Sequence, residues 1–233
     1  MTSPLKLGRA PGLLLSTALL LAGASHADPL VDQGQAIASS GAPDVLACVT
    51  CHGAQGEGMA AAGFPYLAGQ GRDYLALQLQ DFAQGTRQNP IMAPIAKALK
   101  PEQIKALAAY YAQLPQPFDA KALSAHAPTY PAPGQSGAWL ANRGDWDQNI
   151  PACIQCHGPG GIGVGDDFPA LAGQSAQYLQ AQLLAWKSGQ RAPGPLNLMG
   201  NIAARMDDAQ MTAVSEYFST LPASAQASAK GGQ

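Results

Sequence analysis

The sequence predicts an all-α protein made of two tandem copies of one small domain. Three observations carry this. A cysteine-containing hexapeptide and four downstream signatures occur twice, about 100 residues apart, the size of a small domain. Apolar residues recur at helical spacing in both copies. No segment shows the apolar–polar alternation of a half-buried strand.

The repeat is dense. Cys48-Val49-Thr50-Cys51-His52-Gly53 returns as Cys153-Ile154-Gln155-Cys156-His157-Gly158. Phe64-Pro65-Tyr66-Leu67-Ala68-Gly69-Gln70 returns as Phe168-Pro169-Ala170-Leu171-Ala172-Gly173-Gln174. Tyr74, Gln78, Gly85 and Arg87 match Tyr178, Gln182, Gly189 and Arg191. Met92, Ile95 and Ala96 match Met199, Ile202 and Ala203. The spacing sets domain 1 at 28–115 and domain 2 at 137–222.

Each copy is expected to hold three or four short helices. Ile104, Leu107, Ala108, Tyr111 and Leu114 form one amphipathic stripe behind Pro101, a residue suited to a helix start. Its copy carries Met211, Val214, Phe218 and Leu221 behind Asp207, a good N-cap. A second helix per copy bears Leu75, Leu79 and Phe82, or Leu179, Leu183 and Trp186. Residues 116–136 contain Pro117, Pro128, Pro131 and Pro133 and read as a semi-extended linker. The stretch 223–233 reads as a fraying tail.

Residues 1–27 read as a secretory signal peptide cleaved after Ala27. Lys6 and Arg9 precede the uncharged run Leu13–Gly23, and Ser25 and Ala27 suit a cleavage site. That run is too short to span a bilayer, which needs about 20 apolar residues. No later segment approaches that length, so the expected location is the periplasm. Thirteen Lys and Arg against 15 acids give a net charge of −2. With no basic cluster, the chain is a poor candidate for binding nucleic acid or anionic lipid.

The chemistry sits in Cys-x-x-Cys-His, the pattern for covalent haem c attachment. Thiols three positions apart lie about one helical turn apart and reach two vinyl groups of one porphyrin. The adjacent His falls under the iron. All four cysteines lie in the two motifs. Disulfides would not require the His. Two zinc sites would lack fourth ligands, because the one spare His outside the leader is His126. A thioredoxin-like motif would need a βαβ context. Two covalent haems are therefore expected, anchored by Cys48, Cys51, Cys153 and Cys156 and ligated by His52 and His157.

A thioether is the expected sixth ligand. Met59 aligns with Val164, Met206 with Leu99 and Met211 with Ile104. Met92 and Met199 align with each other and are taken as the axial pair. Pro65 and Pro169 are candidate carbonyl acceptors for the second imidazole nitrogen. Leu67 and Leu171 are expected to pack on the porphyrin. Gly158-Pro159-Gly160-Gly161-Ile162-Gly163 matches G-x-G-x-x-G, but it follows no strand and contains Pro159. It is read as a flexible haem-side loop rather than a dinucleotide site.

These residues together resemble the dihaem cytochromes c of the cytochrome c4 type. The resemblance rests on the Cys-x-x-Cys-His-Gly and Phe-Pro-x-Leu-Ala-Gly-Gln segments, the Gln-Leu helices with trailing Gly-x-Arg, and the Met-x-x-Ile-Ala signatures. It covers nearly all of 30–222. It implies two class I cytochrome c domains related by a pseudo-twofold, with haems close enough for internal electron transfer. It also implies periplasmic redox partners: an upstream dehydrogenase or quinol-oxidising complex and a downstream terminal oxidase. Some members are subunits of dehydrogenases. The long linker, the extra residues Ala192–Leu198, and Trp139 and Trp146 with Asp145 and Asp147 depart from the pattern.

An electron carrier is the leading expectation, without catalysis of its own. An obligate dehydrogenase subunit is the alternative. A dihaem peroxidase is a weaker one, since both repeats offer a Met rather than an open iron. His126 reads as a solvated linker residue.

Overall fold

The computed structural model describes residues 28–125, 131, 134–192 and 194–231. The proposed leader and His126 lie outside them. Domain 1 contains α1 (Pro29–Ser40), α2 (Val49–His52), α3 (Arg72–Gln84), α4 (Met92–Ala98) and α5 (Pro101–Gln113). The connector adds α6 (Ala120–Ala125). Domain 2 contains α7 (Ser136–Arg143), α8 (Ile154–His157), α9 (Ala176–Lys187), α10 (Leu198–Arg205) and α11 (Asp208–Gly231). Isolated bridges are the only β pairing among the described residues.

Local chemistry explains the helix starts. Asp28 accepts a hydrogen bond from Leu30 N ahead of Pro29, which needs no donor there. Asn89 Oδ1 accepts from Ile91 N and Met92 N, at 2.9 and 2.8 Å, and so opens α4. Asp207 and Gln210 cap each other's backbone N–H at the head of α11, at 2.7 and 3.0 Å. Such a cap contributes about 1 kcal/mol.

In each domain the first helix crosses the last at a glycine. A Cβ on Gly34 would strike Ala106 O and Tyr110 Cβ, and one on Gly137 would strike Ala213 O and Tyr217 Cβ. Two cores form around these crossings. Ile37, Leu75, Ile104, Leu107 and Tyr111 pack in one. Leu140, Ile150, Met211, Val214 and Phe218 pack in the other.

The structure departs from the sequence reading in four places. The Pro-rich linker is not wholly extended: α6 drives Leu123 into the core of domain 2, and Phe118 packs on that core. Its prolines lie outside Ala120–Ala125, so nothing in that stretch prevents a helix. The stretch after Pro222 continues α11 to Gly231, with Pro222 inside the helix. The glycine-rich haem-side segment is a packed 3₁₀ turn at Pro159–Gly161, with Gly160 and Gly161 buried. Finally, Met92 and Met199 head short helices that the sequence reading did not include, ahead of the last helix of each domain.

The domains meet through a buried polar network with twofold reciprocity. Gln70 exchanges two hydrogen bonds with the backbone of Ala170, at 3.0 and 2.9 Å. Gln174 does the same with Tyr66, at 2.9 and 3.3 Å. Arg87 donates to Gln78 in its own domain and to Gln182 and Tyr178 across the interface. Arg191 donates to Gln182 in its own domain and to Gln78 and Tyr74 across it. Arg87 stacks over Phe82 and Arg191 over Trp186, at 4.4 and 3.8 Å.

Candidate functional site

Each Cys-x-x-Cys-His closes one turn of helix. His52 N and His157 N both bond to the first Cys carbonyl, at 2.9 Å. The chain then folds back beneath the imidazole through left-handed glycines. Gly58 N donates to His52 O at 2.7 Å, and Gly163 N to His157 O at 2.8 Å. A Cβ on Gly58 would lie 2.5 Å from Tyr66 N, so only glycine lets the Pro65 segment come this close.

That approach fixes the ring. His52 Nδ1 lies 2.9 Å from Pro65 O, and His157 Nδ1 lies 2.7 Å from Pro169 O. A carbonyl can only accept, so Nδ1 carries the proton and Nε2 keeps its lone pair. Burial lowers the pKa of both imidazoles; the prolyl carbonyls oppose this but do not overcome it. Both rings are thereby held as neutral bases suited to a metal. Phe64 and Phe168 sit beside them, with centroids 6.4 and 6.3 Å away.

The four cysteines form no disulfides. Leu67 and Leu171 are half-buried and pack against their cores, as do Ile95 and Ile202. Met92 and Met199 are half-buried in the first turns of α4 and α10. Met206 and Met211 are core fillers, and Met59 is 45% exposed. Helix α9 has no fully buried residue, although Leu179, Leu183 and Trp186 share its apolar face. Paired thiols, an oriented imidazole and a half-covered apolar wall fit a flat apolar macrocycle. The described residues contain no cluster of three or more His, Cys, Asp or Glu that would hold a bare metal ion.

The cytochrome c family model matches residues 31–115 and 147–222. The chain belongs to the cytochrome c family. It is a dihaem electron-transfer cytochrome of the c4 type with two covalently bound haem c groups. A relative from Stutzerimonas stutzeri (strain A1501), named thiosulfate dehydrogenase electron acceptor, is 50% identical over 196 residues, which is 81% of this chain and 86% of that one. Reduced cytochrome c4 from Pseudomonas stutzeri superposes with a TM-score of 0.65 at 30% identity, covering 81% of this chain and 97% of that one. A thiosulfate dehydrogenase (TsdBA) structure from Marichromatium purpuratum gives 0.72 at 40% identity. It matches 82% of this chain, which spans 40% of that longer chain.

The cytochrome's interface residues escaped the sequence reading. Tyr74, Gln78, Arg87 and their partners were visible as repeated polar positions. Their repetition in the sequence marks the duplication and does not by itself reveal a contact between the copies. Tyr66 had no such signal. It faces Ala170 in the repeat, and its hydroxyl donates to Ala172 O at 3.0 Å.

Proposed function

We propose that this cytochrome is a periplasmic carrier that accepts electrons from a thiosulfate dehydrogenase and passes them to the respiratory chain. Cys48 and Cys51 hold one haem by thioether bonds, and Cys153 and Cys156 hold the other. His52 with Met92 would ligate one iron, and His157 with Met199 the other. When bound, each haem supplies a one-electron Fe(III)/Fe(II) couple. The chain's residues bind, orient and insulate. Pro65 and Pro169 hold the imidazole tautomer, the methionine thioethers favour the reduced iron, and Leu67 and Leu171 exclude water.

The observation that carries the histidine ligands is the pair of Nδ1-to-prolyl-carbonyl contacts, repeated in both domains. Met92 and Met199 rest on their pairing in the repeat and their matching places at the heads of α4 and α10. The partner rests on the 50% identical electron acceptor. An obligate-subunit reading is favoured by the Marichromatium chain, more than twice as long, which contains a segment like this one. No helix among the described residues is long and apolar enough to cross a membrane.

Mixing the purified cytochrome with thiosulfate and the dehydrogenase should reduce both haems; no reduction contradicts the partner. Native mass analysis separates the two assembly states, since a stable heteromer favours the subunit reading. Met199→Ala should open one iron to CO, and an unchanged spectrum would reject Met199 as a ligand.

A further inference from the structure

Trp139 and Trp146 take no part in the haem scaffold or the domain interface. Trp139 on α7 is 42% exposed, and Trp146, in the 3₁₀ turn Trp146–Gln148, is 65% exposed. Buried tryptophan is ordinary; two exposed ones on one groove mark a contact surface. They line a groove of about 870 Å³ between α7 and the head of α11. Asp145, Asp147 and Asp207 line it as well, against one cation, Arg143.

The carboxylates are held ready in different ways. Asp145 Oδ2 accepts from Gln148 Nε2 and Gln210 Nε2, both at 3.0 Å. Asp207 caps α11. Asp147 takes part in neither described ion pair. The equivalent corner of domain 1 has Ala36 for Trp139, the shorter turn Pro43-Asp44, and Lys100 for Asp207. The groove therefore belongs to domain 2 alone, and the matching corner of domain 1 lacks both tryptophans and has a cation, Lys100, where domain 2 has Asp207.

Indole faces beside carboxylates suit a guanidinium or ammonium, which gains from both ring quadrupole and charge. Anionic lipid and nucleic acid would be repelled. The groove also lies close to the redox centre in sequence and structure. Asp145 and Ile150 exchange backbone hydrogen bonds at 2.8 Å, and three residues later the chain reaches Cys153.

We propose that this groove is the docking site for an Arg- or Lys-bearing segment of the protein that reduces the cytochrome, bringing that donor to the Cys153 edge of domain 2. The proposal rests on the electron-acceptor reading above. Charge complementarity sets the encounter rate, and the tryptophans set how long the donor stays.

A two-part experiment tests it. In the reduced, isotope-labelled holoprotein, hexa-arginine should shift the Trp139 and Trp146 indole N–H signals saturably. The Trp186 signal should stay put, because its Nε1 donates to Ala192 O at 3.2 Å. The double variant Trp146→Ala, Asp147→Asn should lose the response. No saturable shift, or an undiminished one in the variant, overturns the proposal. In the second part, reduction by the thiosulfate dehydrogenase should slow about tenfold or more in the variant at low salt, with an unchanged haem spectrum. A wild-type rate in the variant overturns the docking site. If the peptide binds as expected but the dehydrogenase reduces not even the wild type, the thiosulfate partner fails and the basic docking site stands.

Discussion

Domain 1 reaches its first cysteine through the short turn Pro43-Asp44, whereas domain 2 uses the longer Trp146–Asn149 segment. Past that point the hydrogen-bond plans coincide. Leu67 N and Leu171 N donate to Gly56 O and Gly161 O, at 2.7 and 2.8 Å. Gly69 N and Gly173 N donate to Tyr111 O and Phe218 O, both at 2.9 Å. Domain 2 differs in what covers this frame. Helix α6 packs over Gly160, an extra loop precedes Met199, and Leu196 stands 85% exposed in that loop with φ of 58°. Duplication has kept the frame around the Cys-x-x-Cys-His turns and changed what covers it.

The largest effect should come from breaking one copy of the anchor. Cys153→Ser with Cys156→Ser should lower the covalent haem content from two to one per chain, read by haem staining and pyridine haemochrome. Cys48→Ser with Cys51→Ser should give the same loss from the other side. Unequal losses would mean that the two sites are not equivalent.

Next come the helix crossings. Gly34→Val and Gly137→Val each force a side chain into the facing backbone and should cost about 3 kcal/mol or more in thermal unfolding of the holoprotein. Equal losses would confirm a shared packing rule, whereas tolerance in one domain would break it.

Arg87→Leu tests coupling between the halves. It belongs to domain 1 but removes the hydrogen bonds that Gln182 and Tyr178 of domain 2 accept across the interface, leaving Gln182 with Arg191 alone. It should cost about 1–3 kcal/mol, and domain 2 should unfold earlier. Arg191→Leu should weaken domain 1 by the same logic.

The smallest effect should be a gain. Ser215 is buried and its hydroxyl has no partner, and domain 1 has Ala108 at the same place. Ser215→Ala should leave stability unchanged or raise it by about 1 kcal/mol in calorimetry. A clear loss would reveal a hidden hydrogen bond.

The cofactor frame was legible because covalent chemistry constrains spacing. The cysteine pairs, the histidines and the helix of Ile104, Leu107 and Tyr111 needed no tertiary information. The crossings at Gly34 and Gly137 were not legible, because a glycine reports a close approach only once its neighbour is known. The interface was half-legible: repeated Gln and Arg marked the positions, but their partners lie about 100 residues away. Helix α6 was obscured by the prolines around it. Its local sequence, Ala120–Ala125, is a good helix former, and Leu123 finds its core only in the folded domain.

The most direct test of the account is proton NMR of the fully reduced protein. Iron-bound methionine methyls are moved strongly upfield by the porphyrin ring current. The account predicts two such methyl signals, one lost in Met92→Ala and the other in Met199→Ala. A single signal, or one that survives both substitutions, would contradict two equivalent His/Met haems.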